Sequence, residues 1–292
     1  MRILLLGNTG QLGYEAERAL SCLGDVTALD YPVLDFAHPE TLPALVEQAA
    51  PDIIYNAVAY TAVDKAESEP EKARLINAVA PGVLAEAARR RGAVLVHISS
   101  DYVFDGAKSA PYVEEDATHP LNLYGQTKLD GDLAVQQAGG AYFIFRPAWV
   151  FSSRRDSFLT KVLQWARKNA TLQVVDDQVS NPTWARALAE ISALVLARGG
   201  EDLFSWASSR SGVYHLAGDG SASRYEWART ILACDPNPEE QVVKELIPVK
   251  SDAFPTPALR PLANALNCDK FQRTFNLRLP PWQSAVKWAL QK

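Results

Sequence analysis

The chain has 292 residues, of which 48% are hydrophobic and 22% are charged, and its formal net charge is -5. This length and apolar fraction allow a large buried core and predict one large domain with an appended lobe. The acidic balance argues against a nucleic-acid partner, and no apolar run approaches the ~20 residues of a membrane span.

Short apolar runs alternate with helical patterns through the first half of the chain. The apolar runs are RILLLG (2–7), DVTALD (25–30), DIIYNAV (52–58), AVLVHISS (93–100) and AYFIFRPA (141–148). The helical patterns between them cover 13–23, 39–49, 70–91 and 124–137. Continuous apolar strands separated by helices are typical of a parallel sheet covered on both faces. The predicted fold class is therefore α/β, with a Rossmann-type doubly wound parallel sheet.

The pattern changes after about residue 150, where elements become shorter and richer in proline and aromatic residues. We predict a dinucleotide-binding domain over 1–151 and mainly a smaller C-terminal substrate-binding lobe over 152–292. Segments near 181–218 are expected to return to the main sheet. A last helix is expected around Trp282 to Leu290.

The first apolar run leads into GNTGQLG, which places Gly7, Gly10 and Gly13 in a GxxGxxG turn that opens a helix. Glycines permit a tight turn, and they let backbone N–H groups approach a pyrophosphate at the helix N-terminus. The next strand ends at Asp30, at the spacing expected of an acid that accepts a hydrogen bond from a ribose hydroxyl. These features predict a dinucleotide site. Since a carboxylate repels a 2'-phosphate but a backbone-bound phosphate is tolerable, NADH and NADPH both remain open as the cofactor.

Three side chains indicate carbonyl or alcohol chemistry. Tyr124 and Lys128 are four residues apart on one predicted helix face, and Ser100 follows the strand over 93–99. A phenol exchanges protons near neutral pH only if nearby positive charges lower its pKa from about 10. Tyr124 then suits a general acid or base, Lys128 supplies the charge, and Ser100 can donate a hydrogen bond to the same carbonyl oxygen.

The GxxGxxG turn, the serine and the YxxxK pair together resemble the extended short-chain dehydrogenase/reductase superfamily. Further segments resemble, nearly end to end, the dTDP-4-dehydrorhamnose reductase family within it. These segments are NAVAYTAVDKAESEPE, SSDYVFDG, PLNLYGQTKLDGD, FRPAWVF, DDQVSNPTWA and FPTPALRP. The family usually has threonine where this chain has Ser100, and the hydroxyl is retained.

The resemblance implies reduction of the 4-keto group of dTDP-4-dehydro-L-rhamnose by NADPH or NADH, with Ser100, Tyr124 and Lys128 as the catalytic triad. Lys128 would also hold the nicotinamide ribose. The implied cofactor-binding residues are Gly7, Gly10, Gln11, Leu12, Gly13, Asp30, Asp35, Ala57, Ala59, Tyr124 and Lys128. The implied substrate-binding residues are Val63, Asp64, Ser100, Tyr102, Trp149 and Arg260.

Several of these residues have a second interpretation. Trp149 also fits core packing at the junction of the two lobes, and Asp64 fits a helix N-terminus. Arg260 either forks onto the substrate diphosphate or pairs with a local carboxylate. Asn77, on an otherwise apolar helix face, is a candidate brace for the cofactor site.

The resemblance also implies a homodimer, whose interface can carry magnesium in family members. Glu15 matches one such acidic position, but Arg186 occupies another and would repel a cation. Because carboxylate number governs magnesium sites, we predict no bound metal. His97, His119 and His215 lack ligand spacing and are treated as structural or surface residues.

The cysteines bear on the compartment. Cys22, Cys234 and Cys268 form no CxxC pair and are odd in number, which argues against a disulfide framework or a zinc site. The N-terminal apolar run is too short for a signal segment. We therefore expect a soluble, cytoplasmic protein.

Two other functions stay open at this point. A dehydratase of the same fold would need further acid–base groups, and relatives of that kind carry an Asp-Glu pair where this chain has Asp101 and Tyr102. The other is a non-catalytic subunit resembling the regulatory partner of methionine adenosyltransferase, which would not need the matched Ser100, Tyr124 and Lys128.

Overall fold

A computed structural model describes residues 1–291 of the chain. The strands are β1 Arg2–Leu6, β2 Asp25–Leu29, β3 Ile53–Asn56, β4 Val94–Ile98, β5 Tyr142–Arg146, β6 Val150–Phe151, β7 Thr171–Val175, β8 Val179–Ser180, β9 Thr183–Trp184, β10 Gly212–His215, β11 Ala222–Ser223 and β12 Glu245–Val249. The α-helices are α1 Gln11–Leu20, α2 Leu42–Ala49, α3 Val63–Ala66, α4 Pro70–Arg74, α5 Ala80–Arg91, α6 Leu123–Ala138, α7 Phe158–Ala166, α8 Ala185–Ala197, α9 Leu203–Ser208, α10 Arg224–Ala233, α11 Asp269–Phe275 and α12 Trp282–Leu290.

Six parallel strands form the central sheet, in the order β10-β5-β4-β3-β1-β2. The α/β Rossmann-type prediction is confirmed. From β1 the chain adds β2 on one side and then β3 on the other, so the strand order reverses between β1 and β3. Ligands of open parallel sheets bind at such a reversal, beyond the carboxyl ends of the strands.

The strands β1, β3, β4 and β5 are largely apolar because both faces of the sheet are buried there, whereas the edge strand β2 is partly exposed. Along β1, Ile3 and Leu5 pack into the cluster that contains α1 and α8. Leu4 and Leu6 pack into the opposite cluster, with α2 and α5. Alternating side chains therefore attach a helical layer to each face, and the loops at the sheet edge are left free to form a site.

A separate apolar cluster holds the C-terminal elements together. It comprises residues of β7, α7, α10 and α12 around the buried Trp227. The segment 181–218 supplies β10 to the central sheet and α8 to its outer layer, against α1. The domain limits at 151 and 152 stay a prediction. In residues 1–291, no helix combines the length and apolarity that a membrane crossing needs.

Gly13 allows α1 to pack closely on the turn after β1. A Cβ atom at this position would lie 2.0 Å from the Gly7 carbonyl oxygen and 2.6 Å from the Gly7 carbonyl carbon. We expect Gly13→Ala to lower the free energy of unfolding by about 1–3 kcal/mol, because backbone rather than a mobile side chain must move. Thermal unfolding of the chain without added cofactor measures this loss.

The matched control is Gly10→Ala, whose Cβ would meet one atom, the Gly7 oxygen, at 3.3 Å. Gly10 has φ of -68°, which alanine adopts without strain. Equal melting temperatures for the two variants would contradict the packing role of Gly13.

Candidate functional site

A cavity of about 720 Å³, called here the main cavity, opens beyond the carboxyl ends of β1, β3 and β4. It lies at the reversal of strand order described above. Twelve residues predicted from the sequence line its wall. They are Gly7, Gly10, Gln11, Leu12, Asp30, Ala57, Ala59, Val63, Ser100, Tyr102, Tyr124 and Trp149.

The glycine turn forms one wall of the main cavity. Gly7 has φ of +90°, in the region that favours glycine, and a Cβ there would lie 3.0 Å from Val58. Gly10 is the N-cap of α1 and provides no side-chain hydrogen bond to the first backbone N–H groups of the helix. These N–H groups lie at the cavity wall, which Gly10, Gln11 and Leu12 line. The side-chain oxygen of Gln11 is buried there with no partner among residues 1–291. Uncapped N–H groups fit the diphosphate region of a dinucleotide, because they donate hydrogen bonds to phosphate oxygens.

Asp30 is held rigidly at the end of β2. Its Oδ2 accepts hydrogen bonds from the Thr9 backbone N–H at 2.9 Å and from Thr9 Oγ1 at 2.7 Å, while Oδ1 accepts from Tyr31 N–H at 2.7 Å. A carboxylate fixed in this way at the cavity wall can accept a ribose hydroxyl. Asp35 does not line the cavity, since its side chain accepts from the Ala37 N–H at 2.9 Å.

Ser100 and Tyr124 lie together on the opposite wall, and Lys128 follows Tyr124 by one turn of α6. Asn122 caps α6 by accepting from the Gly125 N–H at 2.8 Å, so the helix starts immediately before Tyr124. Ser100 lies two residues after the end of β4, and its hydroxyl accepts a hydrogen bond from the Tyr102 N–H at 3.1 Å. Ser100 and Tyr124 both line the main cavity. The structure thus brings together two hydroxyls that can address one carbonyl oxygen.

Burial controls the protonation of Tyr124. It raises the pKa of the phenol above its ordinary value, and the nearby Ser100 hydroxyl opposes this rise. Nearby Asp101 and Asp132 also raise the pKa, because negative charge disfavours phenolate. Tyr124 therefore holds its proton in the chain alone.

Lys128 lies beneath Tyr124 and is almost fully buried. Its Nζ donates to the Ile98 carbonyl at 2.7 Å. Burial lowers the pKa of this ammonium to about 8, and Asp132, one turn further along α6, opposes that change. Asp132 is itself paired with Arg146 at 3.0 Å. Lys128 does not line the cavity directly, so its charge acts from below the wall.

Asp101 lies beside Ser100, fully buried. Its carboxylate accepts from Ser100 Oγ at 3.2 Å, and from Ser180 and Asn264 at 3.1 Å each. Burial raises the pKa of Asp101 to about 6, and these hydrogen bonds oppose that rise. Since Ser180 and Asn264 belong to the C-terminal half, Asp101 ties that half to the catalytic serine.

Asn77 clamps the loop after β3 to α6. Its Oδ1 accepts from the Tyr60 N–H at 2.8 Å, and its Nδ2 donates to Thr127 Oγ1 at 3.1 Å. The predicted helix over 70–91 is divided here by a π-helical segment, Leu75–Val79, which carries Asn77. The geometry agrees with a brace for the cavity wall that includes Ala59.

The substrate side of the main cavity is aromatic. The Tyr102 ring meets Tyr124 edge to face at 5.6 Å. Trp149 has φ of +43°, rare for a large side chain, and stacks on Trp227 at 5.5 Å. Trp149 therefore combines both interpretations, because it packs on the lobe core and also lines the cavity.

Asp64 and Arg260, two predicted substrate ligands, bind each other. Arg260 Nη2 lies 2.8 Å from Asp64 Oδ2, and Asp64 also accepts from the Ala258 N–H at 3.3 Å. Neither residue lines the main cavity. The pair corresponds to the local-carboxylate interpretation of Arg260.

A second cavity of about 710 Å³, called here the aromatic cavity, lies in the C-terminal half against β7. Its walls include Phe158, Trp165, Gln178, Arg224 and Phe254. Phe158 and Arg224 line both this cavity and the main cavity. The two cavities therefore meet at these two side chains.

Sequence reasoning missed several residues of these walls, namely Thr9, Asp101, Arg155, Phe158, Arg224 and Trp227. Thr9 lies within the GNTGQLG turn and Asp101 within the SSDYVFDG segment, so the sequence does indicate these two polar side chains as site candidates. Arg155 donates to the Thr9 carbonyl across the cavity. Nothing in the sequence around Arg155 or Arg224 indicates which distant element each one meets.

The metal and histidine predictions can be placed in the structure. Glu15 accepts from Arg186 Nε at 3.1 Å, so a cation at Glu15 would have to displace an arginine. Residues 1–291 contain no cluster of three or more acidic, histidine or cysteine side chains suited to a metal. His97 and His215 are buried, and burial lowers the pKa of each; His119 is exposed. That no magnesium binds stays a prediction.

Comparisons with known proteins agree with this geometry. The model of the RmlD substrate binding domain family matches residues 1–292. The dTDP-4-dehydrorhamnose reductase of Burkholderia thailandensis is 42% identical over 98% of this chain and 97% of its own length. The enzyme of the same name from Escherichia coli K12 is 41% identical over 100% of this chain and 98% of its own.

Solved structures give the same result. A dTDP-4-dehydrorhamnose reductase from Clostridium acetobutylicum superposes with a TM-score of 0.90 at 31% identity, over 99% of this chain and 98% of that one. The Bacillus anthracis enzyme, in complex with NADP, has a TM-score of 0.87 at 29% identity, over 98% and 97% of the two chains. Fold, cavity and full-length similarity coincide, and the chain belongs to the dTDP-4-dehydrorhamnose reductase family.

Proposed function

We propose that this protein reduces the 4-keto group of dTDP-4-dehydro-L-rhamnose to the alcohol of dTDP-L-rhamnose, with a nicotinamide cofactor. One observation carries the proposal: Ser100 and Tyr124 face the same cavity as the glycine turn, with Lys128 beneath them. The catalytic, cofactor-binding and substrate-binding roles given below are part of the proposal.

The cofactor would lie along the wall formed by Gly7, Gly10, Gln11 and Leu12, with Asp30 toward its adenosine ribose. A bound nicotinamide cofactor supplies the hydride for the reduction. Gly13 contributes by close packing of α1, and Ala57 and Ala59 leave room because their side chains are small.

Proton delivery falls to Tyr124. The keto oxygen gains negative charge as the carbonyl is reduced, and the phenol donates its proton to that oxygen. Ser100 Oγ donates a second hydrogen bond to the same atom, which stabilises the developing charge. The Lys128 ammonium stabilises the phenolate left on Tyr124, because opposite charges attract more strongly in a buried site than in water.

The substrate class follows from the two connected cavities. The reacting sugar must lie in the main cavity, beside Tyr124, with Val63, Tyr102 and Trp149 around it. The aromatic cavity then offers Trp165 and Phe254 as apolar surface for a nucleobase, and Gln178 as a hydrogen-bonding group. A nucleoside diphosphate sugar spans both.

Asp30 is expected to set the cofactor preference. Asp30→Asn removes the charge that accepts a ribose hydroxyl and repels a 2'-phosphate. We expect kcat/KM with NADH to fall about tenfold, and kcat/KM with NADPH to change by less than about threefold or to rise. Steady-state rates with both cofactors at saturating keto-sugar measure the ratio.

A matched control for this change is Asp35→Asn, at a carboxylate outside the cavity wall. If Asp30→Asn lowers kcat/KM equally with NADH and NADPH, Asp30 only holds the Thr9 turn in place and does not select the cofactor.

We also propose that the protein is a homodimer that acts in the cytoplasm. The dimer rests on what the sequence resemblance implies, and the three unpaired cysteines suit a reducing compartment. Light scattering of the purified chain tests the dimer, and a monomeric mass at micromolar concentration would contradict it.

Turnover tests the proposed function directly. Oxidation of NADH and NADPH is followed with enzymatically generated dTDP-4-dehydro-L-rhamnose, and dTDP-4-dehydro-6-deoxy-glucose serves as the control substrate. Turnover of the first sugar alone is expected. Turnover of the control sugar instead would indicate another keto-sugar reductase, and cofactor binding without any turnover would favour a non-catalytic subunit.

A further inference from the structure

Arg224 occupies the junction between the main cavity and the aromatic cavity. It is the first residue of α10, whose start is fixed by a capping box between Ser223 and Glu226. With Phe158, it is one of the two residues in the described chain that line both cavities. A molecule that extends from one cavity to the other must pass its guanidinium.

The guanidinium of Arg224 is surrounded by aromatic rings. It lies 3.9 Å from the centre of the Trp149 ring and 5.1 Å from that of Phe158. Nearby Tyr102 and Asp101 favour its charged form, but it forms no ion pair with a carboxylate within residues 1–291. Burial lowers its pKa, which shows the cost of placing this charge away from water.

The contrast with Arg260 is informative. Arg260 has its charge compensated by Asp64 at 2.8 Å, whereas Arg224 has no such partner. The two arginines lie close enough to repel each other. A partly buried cation without an ion-pair partner is costly, and guanidinium has five donors in a fork that matches phosphate oxygens. The N-terminus of α10 adds a further preference for negative charge at this point.

We propose that Arg224 binds the diphosphate of the nucleoside diphosphate sugar. This inference rests on the proposed function, because it needs the sugar beside Tyr124 and the nucleoside in the aromatic cavity. The diphosphate that joins them then lies at the junction. Stacking on Trp149 holds the guanidinium plane in place, so the donors are oriented before the substrate arrives.

Binding of dTDP to the full-length chain tests the inference without turnover. Arg224→Gln is expected to raise the Kd of dTDP, measured by isothermal titration calorimetry, by about tenfold to a hundredfold. Arg224→Lys should recover part of the loss, because it keeps the charge but not the fork. Arg229→Gln, an exposed arginine on the same helix, is the matched control and should leave the Kd unchanged.

Two further ligands separate phosphate binding from a structural role. The Kd of NADPH should be the same in Arg224→Gln and in the wild type, and thymidine should bind both proteins equally because it lacks phosphate. An unchanged Kd for dTDP in Arg224→Gln would overturn the inference. An equal loss of affinity for dTDP and thymidine would also overturn it, since that result assigns Arg224 to packing.

The outcome can be told apart from failure of the proposed function. A wild-type chain that binds dTDP but reduces no keto-sugar sinks the reductase proposal, while the effect of Arg224→Gln on dTDP still decides this one. If the wild type reduces the keto-sugar and Arg224→Gln binds dTDP with an unchanged Kd, only the proposed role of Arg224 is contradicted. A wild-type chain that does not bind dTDP overturns the inference.

Discussion

Replacement of Tyr124 by phenylalanine is expected to lower kcat for keto-sugar reduction by about 10²–10⁴-fold, the range for loss of a positioned proton donor. Burial raises the pKa of this phenol above its ordinary value, so it carries a proton to donate at the cavity wall. Phenylalanine keeps the ring and its edge-to-face contact with Tyr102. The loss should therefore appear in kcat, with the Kd of NADPH nearly unchanged.

Tyr102→Phe is the matched control. It removes a hydroxyl from the neighbouring ring of the same wall, and its effect on kcat should be less than about tenfold if Tyr102 only contacts the sugar. The result that removes Tyr124 from its role is activity of Tyr124→Phe within a few-fold of wild type. Single-turnover rates exclude the case in which product release masks the chemical step.

The second large effect is expected at Lys128. Lys128→Met should lower kcat/KM by at least about 10²-fold, because a neutral side chain cannot stabilise the phenolate formed on Tyr124. Methionine fits the buried stem of the lysine, so the variant should fold. Circular dichroism checks the fold, and Lys161→Met, at an exposed lysine of α7, is the control for loss of a surface charge.

The pH dependence of kcat/KM gives an independent readout for Lys128. Burial places its pKa at about 8, and Asp132 keeps it from falling further. As the pH rises through about 8 the ammonium loses its proton, so wild-type kcat/KM should fall on that side. Other ionisable groups also lie in this region. They are Tyr124, Asp101, His97, Asp132 and Arg146.

Asp132→Asn should move this basic limb to lower pH, because the carboxylate that favours the charged lysine is gone. In Lys128→Met the residual activity should lose the limb near pH 8. A limb that persists unchanged there would assign the titration to another group and contradict the role of Lys128.

The lowered pKa of Lys128 also makes the stability of the fold depend on pH. The folded-state pKa of Lys128, about 8, lies below its ordinary value of 10.5, so the unfolded chain binds more protons between these values. Stability of the wild type attributable to this group therefore rises with pH across that window. Lys128→Met should lack this rise, which chemical unfolding at pH 8 and pH 10 would show.

Much of the fold was determined by the sequence alone. The five apolar runs of the first half are strands, and the last helix spans Trp282–Leu290 as predicted. These features are local: a strand buried on both faces must be largely apolar, and a φ of +90°, as at Gly7, strongly favours glycine. The YxxxK spacing likewise fixes Tyr124 and Lys128 on one helix face, whatever packs against it.

The partners of charged side chains were decided only by the tertiary structure. The sequence could not choose whether Arg260 meets a phosphate or a carboxylate, and the fold brings Asp64 to it from the other half of the chain. In the same way, Arg224 reads in sequence as an ordinary first residue of a capped helix. Packing of α7, α10 and β6 places it between two cavities, because the neighbours of a long side chain depend on which distant elements share its surface, and no local period encodes that choice.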